Sequence, residues 1–379
     1  MSHDVVISGA GLWKPEHRIS NAELVESYNA WAEQYNSHHA DAIAAGQVEA
    51  KPYSSEAFIE KASGIRSRYA YVKDGILNVE RMRPKIPLRA EDELSHQAEI
   101  ALNAARPALQ AAGRLNTDGS AAGVDMVIVS CAYTERSYPA IAIEVQHELG
   151  IEGSGFDMLV ACSAATFALQ RAADAIKAGS ARSVLVINPE LTSPQVNYTD
   201  RDSHFIFGDV STAMLLERAD TATAGHCYQI IGSRARTLYS NNIRSNFGYV
   251  AFAQDADAFG PANLFHQNGR KVFKEVCPMA AEHLERQISE CGLAVGDVQR
   301  WWLHQANLNM NQLIVRRLLG RDASQQEAPI VLDEFANTAS AGSIIAFCQH
   351  HEDLRAGDHG VICSFGAGYS IGSLVVRKL

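Results

Sequence analysis

Cys162, His304 and Asn337 are the residues of this 379-residue chain on which chemistry could be built. Cys162 follows an apolar run, Phe156 to Val160, and lies in a stretch of small residues, Ala161-Cys-Ser-Ala-Ala-Thr. A strand giving way to a helix there sets the sulfur beside backbone N–H groups that lack a partner inside the helix. That setting is expected to lower the thiol pKa. The same N–H groups could receive the oxyanion of a thioester carbonyl under attack. The plain alternative is a small buried core cysteine. His304 opens His-Gln-Ala-Asn307 at the end of a strand that carries Trp301 and Trp302, and a histidine at the carboxyl end of an α/β strand faces the ligand side of the sheet. Asn337, in Phe335-Ala-Asn-Thr-Ala, offers a neutral amide donor and is equally suited to cap a helix.

The elements that would position these residues form two similar halves. A helical stretch from Asp92 to Ala112 precedes the apolar strand Val124 to Cys131, and a helix from about Arg270 to Cys291 precedes the strand Val298 to His304. Each strand is followed by an amphipathic helix ending in Leu-Gly (Glu144 to Gly150, Asn311 to Gly320), then a strand, then the small-residue run. The β-rich runs Ser183 to Asn188 and Gly360 to Phe365 close the two halves. Strands alternating with helices predict a mainly parallel α/β sheet. An internal duplication would place Cys162 and Asn337 at equivalent strand-to-helix turns near a pseudo-twofold axis. Tyr28 to Glu56 and Tyr71 to Arg89 have no counterpart and read as insertions at the surface or over the site.

Other features exclude function classes. The run Ser364-Phe-Gly-Ala-Gly-Tyr-Ser-Ile-Gly372 leads into an apolar strand, so it reads as a tight turn presenting N–H groups and not as a dinucleotide fingerprint. Gly9-Ala-Gly11 likewise precedes Leu-Trp-Lys-Pro, and no nucleotide site is indicated. The histidine pairs at 38–39 and 350–351 lack ligand spacing and read as solvated surface, with no metal expected. A net charge of -10 argues against nucleic acid. Hydrophobic residues at 47%, with no long apolar run, indicate a soluble globular protein with no membrane partner. The N-terminus is not a secretory signal. Seven scattered cysteines without CxxC pairs fit a reducing cytoplasm better than a disulfide framework or a zinc site.

With these residues in view, the sequence resembles the β-ketoacyl-acyl carrier protein synthase III family over nearly its whole length apart from the two insertions. The likeness rests on Asp157-Met-Leu-Val-Ala-Cys-Ser-Ala-Ala-Thr-Phe, Phe205-Ile-Phe-Gly-Asp, His304-Gln-Ala-Asn, Ala336-Asn-Thr-Ala-Ser-Ala and Phe365-Gly-Ala-Gly. It implies a thiolase-like α/β fold of two duplicated halves in five layers, α-β-α-β-α. The first half, 1–222, would carry the nucleophilic cysteine, and the second, 223–379, the histidine and asparagine. The resemblance implies a Cys162, His304, Asn337 triad and an oxyanion hole from the N–H groups of Cys162 and Ala367. It also implies a homodimer in which Tyr138 borders the partner's acyl pocket.

The implied reaction is a decarboxylative Claisen condensation. Cys162 takes an acyl group from a primer thioester. His304 and Asn337 then donate hydrogen bonds to the thioester oxygen of malonyl-acyl carrier protein as carbon dioxide leaves. Coenzyme A and phosphopantetheine thioesters are substrates, and no cofactor is needed. An acidic enzyme must dock an acidic carrier protein through local basic residues, for which Lys274, Arg316 and Arg317 match family positions; Asn309 stands where familiar members carry arginine. Arg201 matches a residue that stacks on adenine, but Phe58 replaces its usual tryptophan partner and Ala62 a nearby arginine. Together with Phe365, these are the expected substrate-binding residues. The departures favour a medium-chain primer such as octanoyl-coenzyme A, as in β-ketodecanoyl-acyl carrier protein synthases, over acetyl. The alternatives are an acyltransferase or condensing enzyme of specialised metabolism and a non-catalytic partner subunit of the same fold.

Overall fold

The computed structural model describes residues 3–379. Nine strands form its principal sheet: β1 (Val5–Trp13), β2 (Met126–Cys131), β3 (Ser154–Leu159), β4 (Ser183–Glu190), β5 (Val210–Arg218), β6 (Tyr228–Thr237), β7 (Val298–Leu303), β8 (His359–Gly366) and β9 (Ser370–Lys378). Their order is β7-β8-β9-β6-β1-β5-β4-β2-β3. The expected duplication is visible in this order. Reading outward from the centre, β1-β5-β4-β2 and β6-β9-β8-β7 repeat the same pairings: two antiparallel steps, then one parallel. A short antiparallel contact, Val6 with Gln229 and Ile7 with Tyr228, joins the halves.

Two expectations need correction. The sheet is mixed and not mainly parallel, because β8 turns directly into β9 through three residues, a link too short for the crossover that parallel strands require. The second half also has no strand matching β3. Residues 328–331, where it was expected, are not in a strand, and their successors coil into a short helix, Leu332–Phe335.

The helices are α1 (Asn21–His38), α2 (His96–Ala111), α3 (Ile141–Glu148), α4 (Ala164–Lys177), α5 (Gly269–Glu290), α6 (Leu308–Leu319) and α7 (Gly342–Gln349). Strand alternation assigns their layers. On β4, Val184 and Val186 point into a core shared with Ala165, Ala168 and Leu169 of α4 and Ile344, Ile345 and Phe347 of α7. Trp302, Ile362 and Leu374 of the second half close the same core. Leu185 and Ile187 face the other way, onto α2 and α3. Val361, Cys363 and Val375 pack on α5 and α6. Two central helices between two half-sheets, each backed by an outer pair, give the five layers. Gly9 and Gly11 belong to this packing: a Cβ there would lie 2.1 Å from the Ala108 carbonyl oxygen and 2.2 Å from that of Ala104, so the pair lets α2 sit on β1.

The first insertion extends α1, whose start carries a capping box of Ser20 and Glu23. The returning chain is tied to that helix by Asn29 and Asn36, whose amides exchange hydrogen bonds with the backbone of Ser54 and Lys51. His351 departs from the solvated reading of its pair, since it is partly buried with its ring stacked on Phe347 at 4.6 Å. No helix among the described residues is long and apolar enough to cross a membrane.

Candidate active site

The central helices α4 and α7 begin at the same end of the core, and the turns leading into them carry Cys162 and Asn337. The residue before each is a non-glycine held in the left-handed region, Ala161 at φ 45° and Ala336 at φ 58°. Such backbone is costly for alanine and persists only where its surroundings impose it. Its recurrence at matching points of the two halves marks these turns as the shaped part of the duplication.

Gly366 fixes the depth at which Cys162 sits. A Cβ on this glycine would lie 2.4 Å from the cysteine Cβ and 3.0 Å from its sulfur, so only glycine lets β8 pass. The chain then turns through Ala367–Tyr369, with Gly368 at φ 70°, and returns as β9. This brings the Ala367 N–H to the Cys162 sulfur, where it joins the N–H of Cys162 itself. The two expected oxyanion donors therefore lie close to the sulfur.

The electrostatics of that atom differ from the sequence expectation. Burial and then the negative charge of Glu190 push the Cys162 thiol up to about 12, outweighing the two N–H groups that stabilise the thiolate. The Cys162 sulfur is therefore a thiol near pH 7.

His304 follows β7, its N–H bonded to the Cys363 carbonyl at 2.8 Å, and its ring stands edge-on to Phe365 at 5.2 Å between centroids. Burial lowers its pKa to about 4, so the imidazole is neutral near pH 7. A neutral imidazole carries one N–H to donate. Its Nδ1 is buried without a partner. The rest of the motif is structural: Gln305 accepts from the N–H groups of Val331 and Leu332 and donates to Leu303 and Pro329, while Asn307 caps α6 and donates to the Ala62 carbonyl at 2.7 Å.

Asn337 is held by the Phe205-Ile-Phe-Gly-Asp segment. Its N–H donates to the Ile206 carbonyl and its carbonyl accepts from Gly208, at 3.0 and 3.1 Å. Gly208 is required here because a Cβ would meet the Phe335 carbonyl oxygen at 2.4 Å. The Asn337 Oδ1 accepts the Ala339 N–H at 3.0 Å, a local turn bond that orients the amide and leaves Nδ2 as donor. Asn337 is thus not the helix cap that its residue type suggested, a position that Thr338 holds.

Of the remaining expected residues, Arg201 lies over the Phe58 ring, its guanidinium carbon 3.6 Å from the centroid, and donates to the Tyr53 carbonyl of the first insertion at 2.7 Å. Phe365 is buried and supports His304. Tyr138 is 84% exposed, on the loop between β2 and α3, well placed to meet another molecule. Lys274, Arg316 and Arg317 are exposed on the packed helices α5 and α6; Arg316 is paired with Asp322 at 2.6 Å. Arg270 and Lys271 add exposed positive charge to the first turn of α5, where it opposes the helix dipole, and sequence reasoning missed them. Asn309, in the first turn of α6, is exposed as well. Glu190, at the end of β4, was also missed. Nothing in its local pattern, Asn-Pro-Glu-Leu, distinguishes it from a surface acid.

Most of the chain is similar to known proteins. The family model described as 3-oxoacyl-[acyl-carrier-protein (ACP)] synthase III matches residues 156–235, and that of its C-terminal part matches 288–378. The chain is 54% identical to beta-ketodecanoyl-[acyl-carrier-protein] synthase of Pseudomonas aeruginosa, over 93% of this chain and 100% of that protein. It is 31% identical to beta-ketoacyl-[acyl-carrier-protein] synthase III of Gloeobacter violaceus, over 74% of this chain and 83% of that one. The crystal structure of 3-oxoacyl-(acyl carrier protein) synthase III from Pseudomonas aeruginosa shares the fold, with a TM-score of 0.74, 22% identity, and coverage of 99% of this chain and 98% of that one.

Proposed function

The chain belongs to the 3-oxoacyl-[acyl-carrier-protein] synthase III family of condensing acyltransferases, and from that premise we propose that it extends a medium-chain acyl thioester, octanoyl-coenzyme A by preference, with malonyl-acyl carrier protein. The observation that carries the chemistry is the packing of Gly366 against Cys162, which sets the Ala367 N–H beside that of Cys162 at the sulfur. In the first step the sulfur attacks the primer carbonyl while those N–H groups receive the oxyanion. The thiol proton leaves with the coenzyme A thiol, giving acyl-Cys162. In the second, malonyl thioester loses carbon dioxide as His304 and Asn337 donate to its carbonyl oxygen. The enolate attacks the acyl carbonyl, and Cys162 departs as a thiolate that regains a proton from water. The steps balance without a cofactor.

The primer length rests on the 54% identical relative, whose name specifies a ten-carbon product: eight carbons from the primer and two from malonyl. Arg201 lies against Phe58, the two positions that the resemblance assigns to adenine, and coenzyme A would have to part them to stack there. Carrier-protein docking rests on the exposed cluster of Lys274, Arg317, Arg270 and Lys271. Seven free cysteines suit a cytoplasmic setting. A homodimer is supported by the open edge of the sheet, where β3 exposes Phe156 and Leu159 near Ile143 and Tyr138. Leu159→Asp should convert a sedimenting dimer to monomer, and a wild-type monomer would refute that assembly.

Intact mass after incubation with acetyl, butyryl, octanoyl and dodecanoyl thioesters tests the substrate. Octanoyl should add most completely, and only at Cys162. Addition of acetyl alone would overturn the medium-chain reading.

A further inference from the structure

Glu190 is 1% exposed, and no cation pairs with it among the described residues. A buried carboxylate without a counter-charge is expensive and persists where several donors converge on it. Three do. Its Oε1 accepts both the N–H of Ser340, at 3.0 Å, and the Ser340 hydroxyl, and its Oε2 accepts the Ala132 N–H at 3.1 Å. Ser340 lies three residues beyond Asn337 in the same turn, and Ala132 directly follows β2. The carboxylate therefore bridges the two halves of the duplication, binding the second half's site turn to the strand ends of the first. The turn that holds Cys162 packs against the turn that holds Ser340, which brings the Glu190 charge to bear on the Cys162 sulfur.

We propose that Glu190 is a positioning residue of the condensing site, fixing through Ser340 the turn that aims Asn337 and placing one ionisable charge where it opposes the Cys162 thiolate. This rests on the proposed reaction for its kinetic consequence and not for its electrostatic one. The titratable groups that face Glu190 are Cys131 and Tyr133 near the end of β2, Cys162, and Asp209 at the start of β5. Asp209 is held by the N–H groups of Tyr71, Thr192 and Ser193. Burial raises Glu190 itself to about 7. Thiolate at Cys162 and carboxylate at Glu190 therefore disfavour each other, and the sulfur ionises most readily when Glu190 holds a proton.

Two variants separate the roles. With full-length protein, iodoacetamide alkylation of Cys162, followed by peptide mass against pH, should shift downward by about one pH unit in Glu190→Gln, which removes the charge. Ser340→Ala should leave that profile in place. Its release of carbon dioxide from malonyl-acyl carrier protein on the octanoylated enzyme should fall about tenfold, with octanoylation retained. An unshifted alkylation profile in Glu190→Gln, or wild-type decarboxylation by Ser340→Ala, would overturn the proposal. If wild-type enzyme neither acylates nor decarboxylates, the reaction is wrong, and the alkylation arm still decides the link between Glu190 and Cys162.

Discussion

Gly366 lies against Cys162 with no room for a methyl group between them, a Cβ on the glycine falling 2.4 Å from the cysteine Cβ. Gly366→Ala must move either the nucleophile or the turn that supplies the Ala367 N–H. We expect acylation to fall at least about a hundredfold for a stability loss of about 1–3 kcal/mol. Mass-detected octanoylation beside a thermal melt checks this, and acylation within twofold of wild type would remove the glycine from the site.

In the proposed mechanism the two half-reactions use different donors. His304→Ala and Asn337→Asp should keep octanoylation but lower malonyl decarboxylation by about 10²–10³ each, since each removes a donor aimed at the developing enolate. Carbon dioxide release from malonyl-acyl carrier protein is the readout. Wild-type release in either variant would refute the assignment.

The buried histidines predict the acid limit of stability. Burial lowers His204, His283 and His304 to about 4, below the ordinary value near 6.5 of the unfolded chain. Between those values the unfolded state binds more protons, so stability is intact above about pH 6.5 and lost as pH falls toward 4. Glu190 works the other way, being raised to about 7, and offsets part of the loss. Thermal melts from pH 7.5 to 4 should drop continuously below 6.5, and His283→Gln should flatten the curve. A melting temperature constant over that interval would contradict neutral burial.

Carrier docking should be electrostatic and local. Lys274→Glu and Arg317→Glu are expected to raise KM for malonyl-acyl carrier protein about tenfold at low salt, with the difference shrinking as salt is added. Arg316→Glu should matter less, because Asp322 already engages that side chain. KM for octanoyl-coenzyme A should not move in Lys274→Glu, and a rise there would place Lys274 on the primer route.

Cys162 and His304 were legible in the sequence because each follows a strand of clear apolar periodicity, and Asn337 because its small-residue run repeats that of Cys162, although a short helix, Leu332–Phe335, and not a strand leads into it. Periodicity located elements well: the helix expected from Arg270 to Cys291 runs Gly269–Glu290. Pairing direction was less legible. The turn at Ala367–Tyr369 fixes β9 antiparallel to β8, whereas alternation of strands and helices suggested crossovers. The thiol environment was illegible for a different reason. Helix-terminal N–H groups can be inferred from local order, but the opposing charge comes from Glu190, 28 positions away in the chain and brought close only by folding.

The missing third strand in the second half sets the outer geometry of the molecule. At that end β7 is covered by the segment through Glu327, whose carbonyl takes the Trp301 N–H at 2.7 Å, while β3 at the other end is open. A sheet with one unprotected border can add strands only by joining like to like, and that joining consumes the border on both copies. Association through this edge would therefore close at two molecules.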